Sequence, residues 1–541
     1  MSSLVSLRCR LCALALLGAV ACSSASSGAP AAGPTLTPNA DGWWRDKVIY
    51  EVFVRSFADS NGDGKGDLKG LTAKLDYLRD GNAASASSLN VDAIWLMPIH
   101  PSPSYHGYDV TDYKGVNPDY GTEADFDALV AAAHQRGLKV VLDLVMNHSS
   151  SQHPWFQDSM TGPSAAKRDW YVWQPTVPSW GGSLWHERNG AFYYAYFWSE
   201  MPDLNLRNPA VVAAVEDAMR FWLAKGVDGF RFDAARYFIE SLDGHISDQP
   251  ETHALVKQLR ADLQRDFPQT LFVAEAWTSE DTVLTYAGDG DEFSLAFSFD
   301  QALATQSAIA SGARGELVNT IATTETLFAG KDRGFEAPFL ANHDMKRILR
   351  LLGGDAAGAR LAAAVLLALP GTPFLYYGEE LGMQGEPSGD DPSKRTPLRW
   401  SATPPGYGFT TNGPGWYGPT TEAPGVDVAS EQAEPKSLWH LYRKLIALRH
   451  AQPALAKGEA TRPKVSIPKG PFALLRTGAD HTRVLFVGNF ATRTTGPFTV
   501  AVDGAPSTLF AEGLDAPATS AAGALTIPNL QPRGFVYLSL D

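Results

Sequence analysis

The sequence predicts an α/β chain: a (β/α)8 barrel with an inserted domain after its third strand and an antiparallel β-sandwich at the C-terminal end. Three observations carry this reading. Short apolar segments alternate with helical patterns from residue 48 to about residue 455. One connection, residues 149–205, is far longer than the rest and holds six tryptophans (Trp155, Trp170, Trp173, Trp180, Trp185, Trp198). Beyond residue 456 the helical patterns give way to alternating strands and turns.

The eight strand candidates are residues 48–57, 91–99, 138–146, 227–234, 270–277, 293–299, 337–344 and 371–380. Several are nearly unbroken apolar runs, as strands covered on both faces must be. Helical stretches such as DFDALVAAAHQRG and VVAAVEDAMRFWLAKG lie between them, the second closed by Gly226. Eight such units fit a closed barrel better than the alternative, a doubly wound sheet. The helix expected over 436–450 closes the barrel. The predicted division is therefore a barrel over 43–148 and 206–455, an inserted domain over 149–205, and a sandwich over 456–541. A loop as long as the insertion is usually functional.

The N-terminus reads as an address. Arg8 and Arg10 precede an apolar run over 11–21 that is too short to span a bilayer. The run ends Ala19-Val20-Ala21-Cys22, which resembles a bacterial lipobox, with an ordinary A-x-A cleavage site as the alternative. All three cysteines (Cys9, Cys12, Cys22) fall in residues 1–22, so the exported protein is expected to contain no internal disulfide. Residues 23–42 are small, polar and proline-bearing, a flexible tether. Export follows, with membrane contact only through a lipid on Cys22. The chain carries a net charge of −14 and no basic block, which argues against nucleic acid and favours a neutral substrate. It is expected to act as a monomer.

The polar residues at the strand ends carry the chemistry. Strand three ends in Asp143-Leu-Val-Met-Asn147-His148, strand four in Gly229-Phe-Arg231-Phe-Asp233, strand five in Glu275-Ala-Trp277 and strand seven in Asn342-His343-Asp344. In a barrel of this kind the C-terminal rim is where active sites assemble, so carboxylates from separate strands meet at one mouth.

The segments DLVMNH, GFRFDAAR, AEAW and NHD resemble, in order, the four signature regions of glycoside hydrolase family 13, the α-amylase family; MPDLN (201–205) and GTPFLYYGEE (371–380) match as well. The resemblance spans about residues 43–541. It implies Asp233 as nucleophile, Glu275 as general acid/base and Asp344 as a third carboxylate that clamps sugar hydroxyls. Arg231 would hold Asp233 ionised, and His148 and His343 would bond hydroxyls of the reacting sugar. The segment Tyr105-His106-Gly107-Tyr108-Asp109 resembles the family's stretch in which a tyrosine stacks on that sugar; Tyr108, His106 and Asp109 inherit substrate contacts. Two carboxyl groups about 5–5.5 Å apart would give retention of configuration.

The loop Asp59-Ser-Asn61-Gly-Asp63-Gly-Lys65-Gly-Asp67 places oxygen donors at alternate positions with glycines between, a pattern that suits Ca2+. It departs from an EF-hand, because the twelfth position is Gly70 and a strand precedes it. The resemblance implies a compact calcium loop here, with side chains of Asp59, Asn61, Asp63 and Asp67 and the Lys65 carbonyl. It also implies a weaker second site from Asn147, Asp203 and the Tyr237 carbonyl.

Within the family, MPDLN resembles the group intermediate between oligo-1,6-glucosidases and neopullulanases. Ala234 stands where α-1,6-specific members tend to have valine, which favours α-1,4 linkages. Tyr105 stands where enzymes that cut terminal glucose place an aspartate, which favours internal cleavage of starch, glycogen and maltooligosaccharides. Against this, KRTPLRW (394–400) resembles a segment of oligo-1,6-glucosidases and trehalose synthases, and Arg395 could recognise a chain end. An exo-acting α-glucosidase or transglycosylase is the alternative, and a non-catalytic glucan-binding barrel a remote one.

Overall fold

The computed structural model describes residues 42–540 except 242, 329–332, 419, 468 and 469. The leader, the three cysteines and all of the tether but Gly42 lie outside the described residues. Among the described residues no helix is long and apolar enough to cross a membrane.

Eight parallel strands form the barrel: Ile49–Val52, Ala93–Leu96, Lys139–Leu144, Gly229–Phe232, Leu271–Ala274, Leu295–Phe297, Glu336–Ala337 and Phe374–Tyr376. Each pairs with its neighbour in sequence, and the first also pairs with the eighth. A bridge between Phe339 and Phe374 joins the seventh to the eighth. A doubly wound sheet would leave two edges; here the ring closes.

Side chains alternate across each strand. Ile49, Trp95, Val141, Leu271, Val273, Leu295, Phe297 and Phe374 point inward into one cluster, while Tyr50, Ile94, Leu96, Val140, Leu142, Phe230 and Phe272 pack outward under the helices. Gly229 is small by necessity: a Cβ there would lie 2.5 Å from both Cβ and the carbonyl oxygen of Leu271. Arg231 stands two residues further along this inward face, and Asp233 two beyond that.

The strands are shorter than the apolar runs suggest. The run 227–234 yields a strand only over Gly229–Phe232, and 371–380 only over Phe374–Tyr376, followed by a short helix at Glu379–Leu381. Apolarity reports burial, and the loops at this rim are buried as deeply as the strands. The closing helix is Leu438–Ala451, capped by the Ser437 side chain, which accepts from the His440 N–H.

The insertion folds as a helix, Pro154–Ser159, and a three-stranded antiparallel sheet of Trp173–Gln174, Ala191–Tyr194 and Trp185–Arg188. Of its six tryptophans Trp185 is buried, Trp198 exposed and the others partly covered. At the C-terminal end, a five-stranded sheet of Glu459–Thr461, Pro471–Thr477, Arg483–Asn489, Leu530–Leu540 and Pro506–Leu514 accompanies a three-stranded one of Phe498–Val500, Ala524–Ile527 and Thr519–Ala521. Alternation again sorts the residues. Leu485, Val487, Val536 and Leu538 meet the smaller sheet's Val500, Leu525 and Ile527, whereas Val484, Phe486, Phe535 and Tyr537 join the barrel core through the helix Ala356–Ala368. The Tyr537 hydroxyl donates to the Ala364 carbonyl, and Arg476 Nη1 donates to the Ala368 carbonyl at 2.8 Å.

Behind the eighth strand two glutamates are buried side by side. Tyr50 donates to Glu380 Oε1 at 2.7 Å, and Tyr442 donates to Glu379 Oε1 at 2.7 Å. Burial, reinforced by Glu380, pushes the Glu379 carboxyl up to about 8. A carboxyl whose folded pKa lies above its unfolded one contributes stability at low pH, and that stability is lost as pH rises through the folded value. The melting temperature should therefore fall by on the order of 2–4 °C as pH rises from about 5 to about 8, and level off above that. Glu379→Gln should remove most of that fall; an unchanged slope between pH 5 and 8 would show that Glu379 does not titrate in this window.

Candidate active site

Arg231 is the hub of the barrel mouth and is only 1% exposed. Its Nη1 lies 2.7 Å from Asp143 Oδ1 and 2.9 Å from Asp233 Oδ1, and its Nη2 lies 2.9 Å from Glu275 Oε2. Carboxylates from strands three, four and five thus converge on one guanidinium. A buried guanidinium without partners would be strongly destabilising, and its planar fork suits several oxygens at once.

Asp233 and Glu275 are held alike, each by one oxygen. Glu275 Oε2 also receives the Ala234 N–H at 2.9 Å. Ala234 adopts φ 53°, a left-handed turn that swings this amide back toward strand five. With Oε2 taken by two donors, a proton on Glu275 belongs on Oε1. Three carboxyl groups around one cation cannot all ionise freely. Burial raises Asp143 to about 6 against the pull of Arg231. Burial, with Glu275, Asp143 and Asp344 nearby, also raises the proton affinity of Asp233, and Arg231 opposes it. Burial and like charge thus favour a proton within the cluster, and Arg231 opposes it. One carboxylate to attack and one acid to donate is the equipment needed to cleave an acetal.

The opposite side of the mouth is built differently. His343 Nδ1 stands 2.6 Å from Glu51 Oε1, and its Nε2 stands 3.2 Å from Asp344 Oδ2 and 2.7 Å from the Tyr108 hydroxyl. Burial opposes charge on this ring, but Asp344 and Glu51 outweigh it and raise the imidazolium to about 10. Tyr108 can then accept from His343 while donating to Asp143 Oδ2 at 3.1 Å. Arg395 completes the group: Nη2 lies 2.9 Å from Asp344 Oδ1, Nε donates to the His343 carbonyl at 3.0 Å and Nη1 to the Tyr105 hydroxyl at 3.2 Å. Despite burial, His343 and Arg395 hold the Asp344 carboxyl far below its ordinary range. Asp344 stays anionic, and its side chain is about one-third exposed, at 35%.

The remaining residues singled out in the sequence take distinct places. His106 accepts the Tyr108 N–H at 3.1 Å, and the two rings stack at 6.1 Å. Asp109 is buried and takes hydrogen bonds from the Ser102 and Ser104 hydroxyls, so its carboxylate braces the turn before Tyr108. His148 contacts the Tyr108 carbonyl at 3.2 Å, with Phe197 against its ring, and burial lowers it to about 3.

Among the described residues no three His, Cys, Asp or Glu side chains gather as a metal cluster. In the loop 59–67, Asp59 accepts the N–H groups of Asn61, Gly62 and Gly64, Asn61 that of Asp63, and Asp63 that of Lys65. Asp67 is spent partly on the Gly70 N–H as a helix cap and partly on Ser60. The hard oxygen donors of Asp59, Asn61, Asp63 and the Lys65 carbonyl suit calcium, since a carboxylate has more lone pairs than these bonds use. Asn147 Nδ2 meets Asp203 Oδ2 at 3.2 Å, and Asn147 Oδ1 is buried without a donor. Asn147 Oδ1 and the Asp203 carboxylate are hard oxygen donors of the kind a cation takes, while burial raises Asp203 well above its ordinary range. Tyr237 stacks on Tyr196 at 4.2 Å beside it.

Two contributors escaped the sequence reading. Glu51 was a lone acid in an apolar strand, a detectable signal. Trp416 stacks on Tyr105 at 5.3 Å from a glycine- and proline-rich loop, where nothing local marks it.

The alpha-amylase catalytic-domain family matches residues 51–458. Alpha-amylase 3 of Dictyoglomus thermophilum is 39% identical over 428 residues, 78% of this chain and 80% of that protein. Trehalose synthase/amylase TreS of Mycobacterium tuberculosis is 36% identical over 507 residues, 83% of this chain and 82% of that protein. The crystal structure of the alpha-amylase from H. orenii superimposes with a TM-score of 0.81 at 35% identity, covering 92% of this chain and 100% of that chain.

The two histidines should titrate oppositely. Nitrogen NMR of the histidine side chains should show His343 as imidazolium from pH 6 to 8, given its value of about 10, and His148 neutral throughout, given about 3. A neutral His343 ring at pH 7 would contradict the Glu51–His343–Asp344 arrangement.

Proposed function

The chain belongs to the alpha-amylase catalytic-domain family of glycoside hydrolases and transglycosylases, and on that premise we propose that it hydrolyses internal α-1,4-glucosidic bonds of α-glucans with retention of configuration. The single observation that carries the reaction is the sharing of Arg231 by Asp233 and Glu275, each with one oxygen left open. In the proposed mechanism Glu275 Oε1 protonates the glycosidic oxygen while Asp233 Oδ2 attacks the anomeric carbon. Water then releases the glycosyl group with Glu275 as base. Asp344, kept anionic, would bind sugar hydroxyls, with His343, His148 and His106 around the same ring. Tyr108 would lie under the sugar.

Internal cleavage is supported by Tyr105, an aromatic ring where a carboxylate would grip a chain end. A second reading, exo-acting glucosidase or glucosyl transfer, is favoured by Arg395, which spans Asp344 and Tyr105 and narrows that end. We further propose a calcium ion held by Asp59, Asn61, Asp63, the Lys65 carbonyl and Asp67, where it would tie the loop together, and a second at Asn147 and Asp203. The sequence of residues 1–22 supports export, with a lipid on Cys22 as the anchor.

Asp233→Asn should lower turnover by about 10⁴-fold in folded protein; near-normal activity would refute the assignment. Maltooligosaccharides blocked at the non-reducing end should be cut nearly as fast as free ones, and starch viscosity should fall before reducing sugar accumulates. Resistance of the blocked substrates, with glucose as sole early product, would select the exo reading. Excess chelator should lower the melting temperature by roughly 3 °C or more, with recovery on adding calcium, and the effect should vanish in Asp63→Ala. No change with chelator would count against the loop site.

A further inference from the structure

The rings of Tyr105 and Trp416 stack at 5.3 Å with an interplanar angle of 22°, and both are only half buried. The Tyr105 hydroxyl accepts from Arg395, whose other terminal nitrogen holds Asp344. The aromatic pair therefore begins where the carboxylate assigned to the reacting sugar ends. It lies beside strands seven, eight, one and two, across the mouth from Glu275 on strand five. Glu275 faces the leaving group, so the pair stands on the non-reducing side.

Trp416 is held from behind. Its indole N–H donates to Ser56 Oγ at 2.9 Å, Phe53 meets it edge-on at 6.0 Å, and the Arg55 guanidinium lies 5.6 Å from its ring. The loop bearing Trp416 also interlocks with the loop 59–67. The Asp59 N–H donates to the Phe409 carbonyl at 2.8 Å, and Asn412 Nδ2 donates to the Gly62 carbonyl at 3.0 Å. Gly62 has φ 81°, which favours glycine, and a Cβ there would stand 2.8 Å from Asn412 Nδ2 and Thr411 Oγ1 and displace those side-chain tips. A tryptophan serving only as core would be enclosed. This one has its polar edge satisfied, is packed by Tyr105 and Arg55, and still stays partly exposed, so an edge of the aromatic pair is available to the C–H surface of a pyranose.

We propose that Trp416, stacked on Tyr105 and seated by the loop 59–67, walls the subsite for the second glucosyl unit on the non-reducing side of the scissile bond. This rests on the α-glucan reading above. Trp416 is the specificity-determining residue, and Asn412 positions it.

α-Glucosyl fluoride and α-maltosyl fluoride test this, because they share a leaving group and differ only in the second glucosyl unit. In Trp416→Ala the ratio of kcat/KM for maltosyl over glucosyl fluoride should fall about tenfold, the scale of one lost aromatic contact. Trp416→Phe should retain most of the ratio, and Asn412→Ala should lower it to a smaller degree. Should Trp416→Ala yield little folded protein, Tyr105→Ala reads the same ratio. An unchanged ratio in folded Trp416→Ala or Tyr105→Ala overturns the proposal. Calorimetric titration of maltotriose into Asp233→Asn, with and without Trp416→Ala, separates binding from chemistry. A raised Kd supports the wall even if the unmutated enzyme fails to turn over either fluoride, a result that would refute the catalytic reading alone. An equal Kd overturns the wall.

Discussion

A guanidinium with 1% exposure at the centre of a barrel must be neutralised where it stands, and the rest of the mouth follows from that requirement around Arg231. Water cannot solvate it, so three carboxylates on three strands supply the counter-charge. They must approach within hydrogen-bonding distance, which fixes the stagger of strands three to five. Gly229 admits the close contact with strand five that this register demands. Negative charge then exceeds what one cation can balance, which raises the proton affinity of Asp143 and Asp233. Structural need and chemical capacity are the same feature here.

The other half of the mouth solves the opposite problem. Asp344 is meant to stay ionised, and it is flanked by His343 and Arg395, with Glu51 holding His343 protonated from below. Two carboxylates at one mouth are thus driven apart in proton affinity by their cations, not by distance from water alone. Arg395 extends this logic outward to Tyr105, so the electrostatics that orient the reacting sugar also set the shape of the cleft beyond it.

The surrounding architecture holds these groups still. The five-stranded sheet at the C-terminal end packs one face on the helix Ala356–Ala368, which lies directly outside the barrel. The buried pair Glu379 and Glu380 ties strand eight to Tyr50 on strand one and to Tyr442 on the closing helix. Burial raises the proton affinity of both acids, and they act as hydrogen-bonding posts that make the barrel's seam sensitive to rising pH.

Much of this was legible in the chain. Unbroken apolar runs and helical patterns marked the barrel, because burial on both faces leaves a mark on composition, and alternation marked the C-terminal strands. The strand-end motifs located Asp233, Glu275, Asp344, Arg231 and His343, because a barrel carries the ends of its strands to one rim. Strand ends were misjudged, since buried loops are as apolar as strands. Asp109, placed with the substrate by resemblance, is buried and takes hydrogen bonds from the Ser102 and Ser104 hydroxyls. Only the tertiary structure decided that one guanidinium serves three carboxylates, that Glu51 charges His343, and that Trp416 crosses from a distant loop to Tyr105. Those are contacts between residues far apart in the chain, and local pattern carries no record of which distant side chain will complete a buried charge or cover a ring.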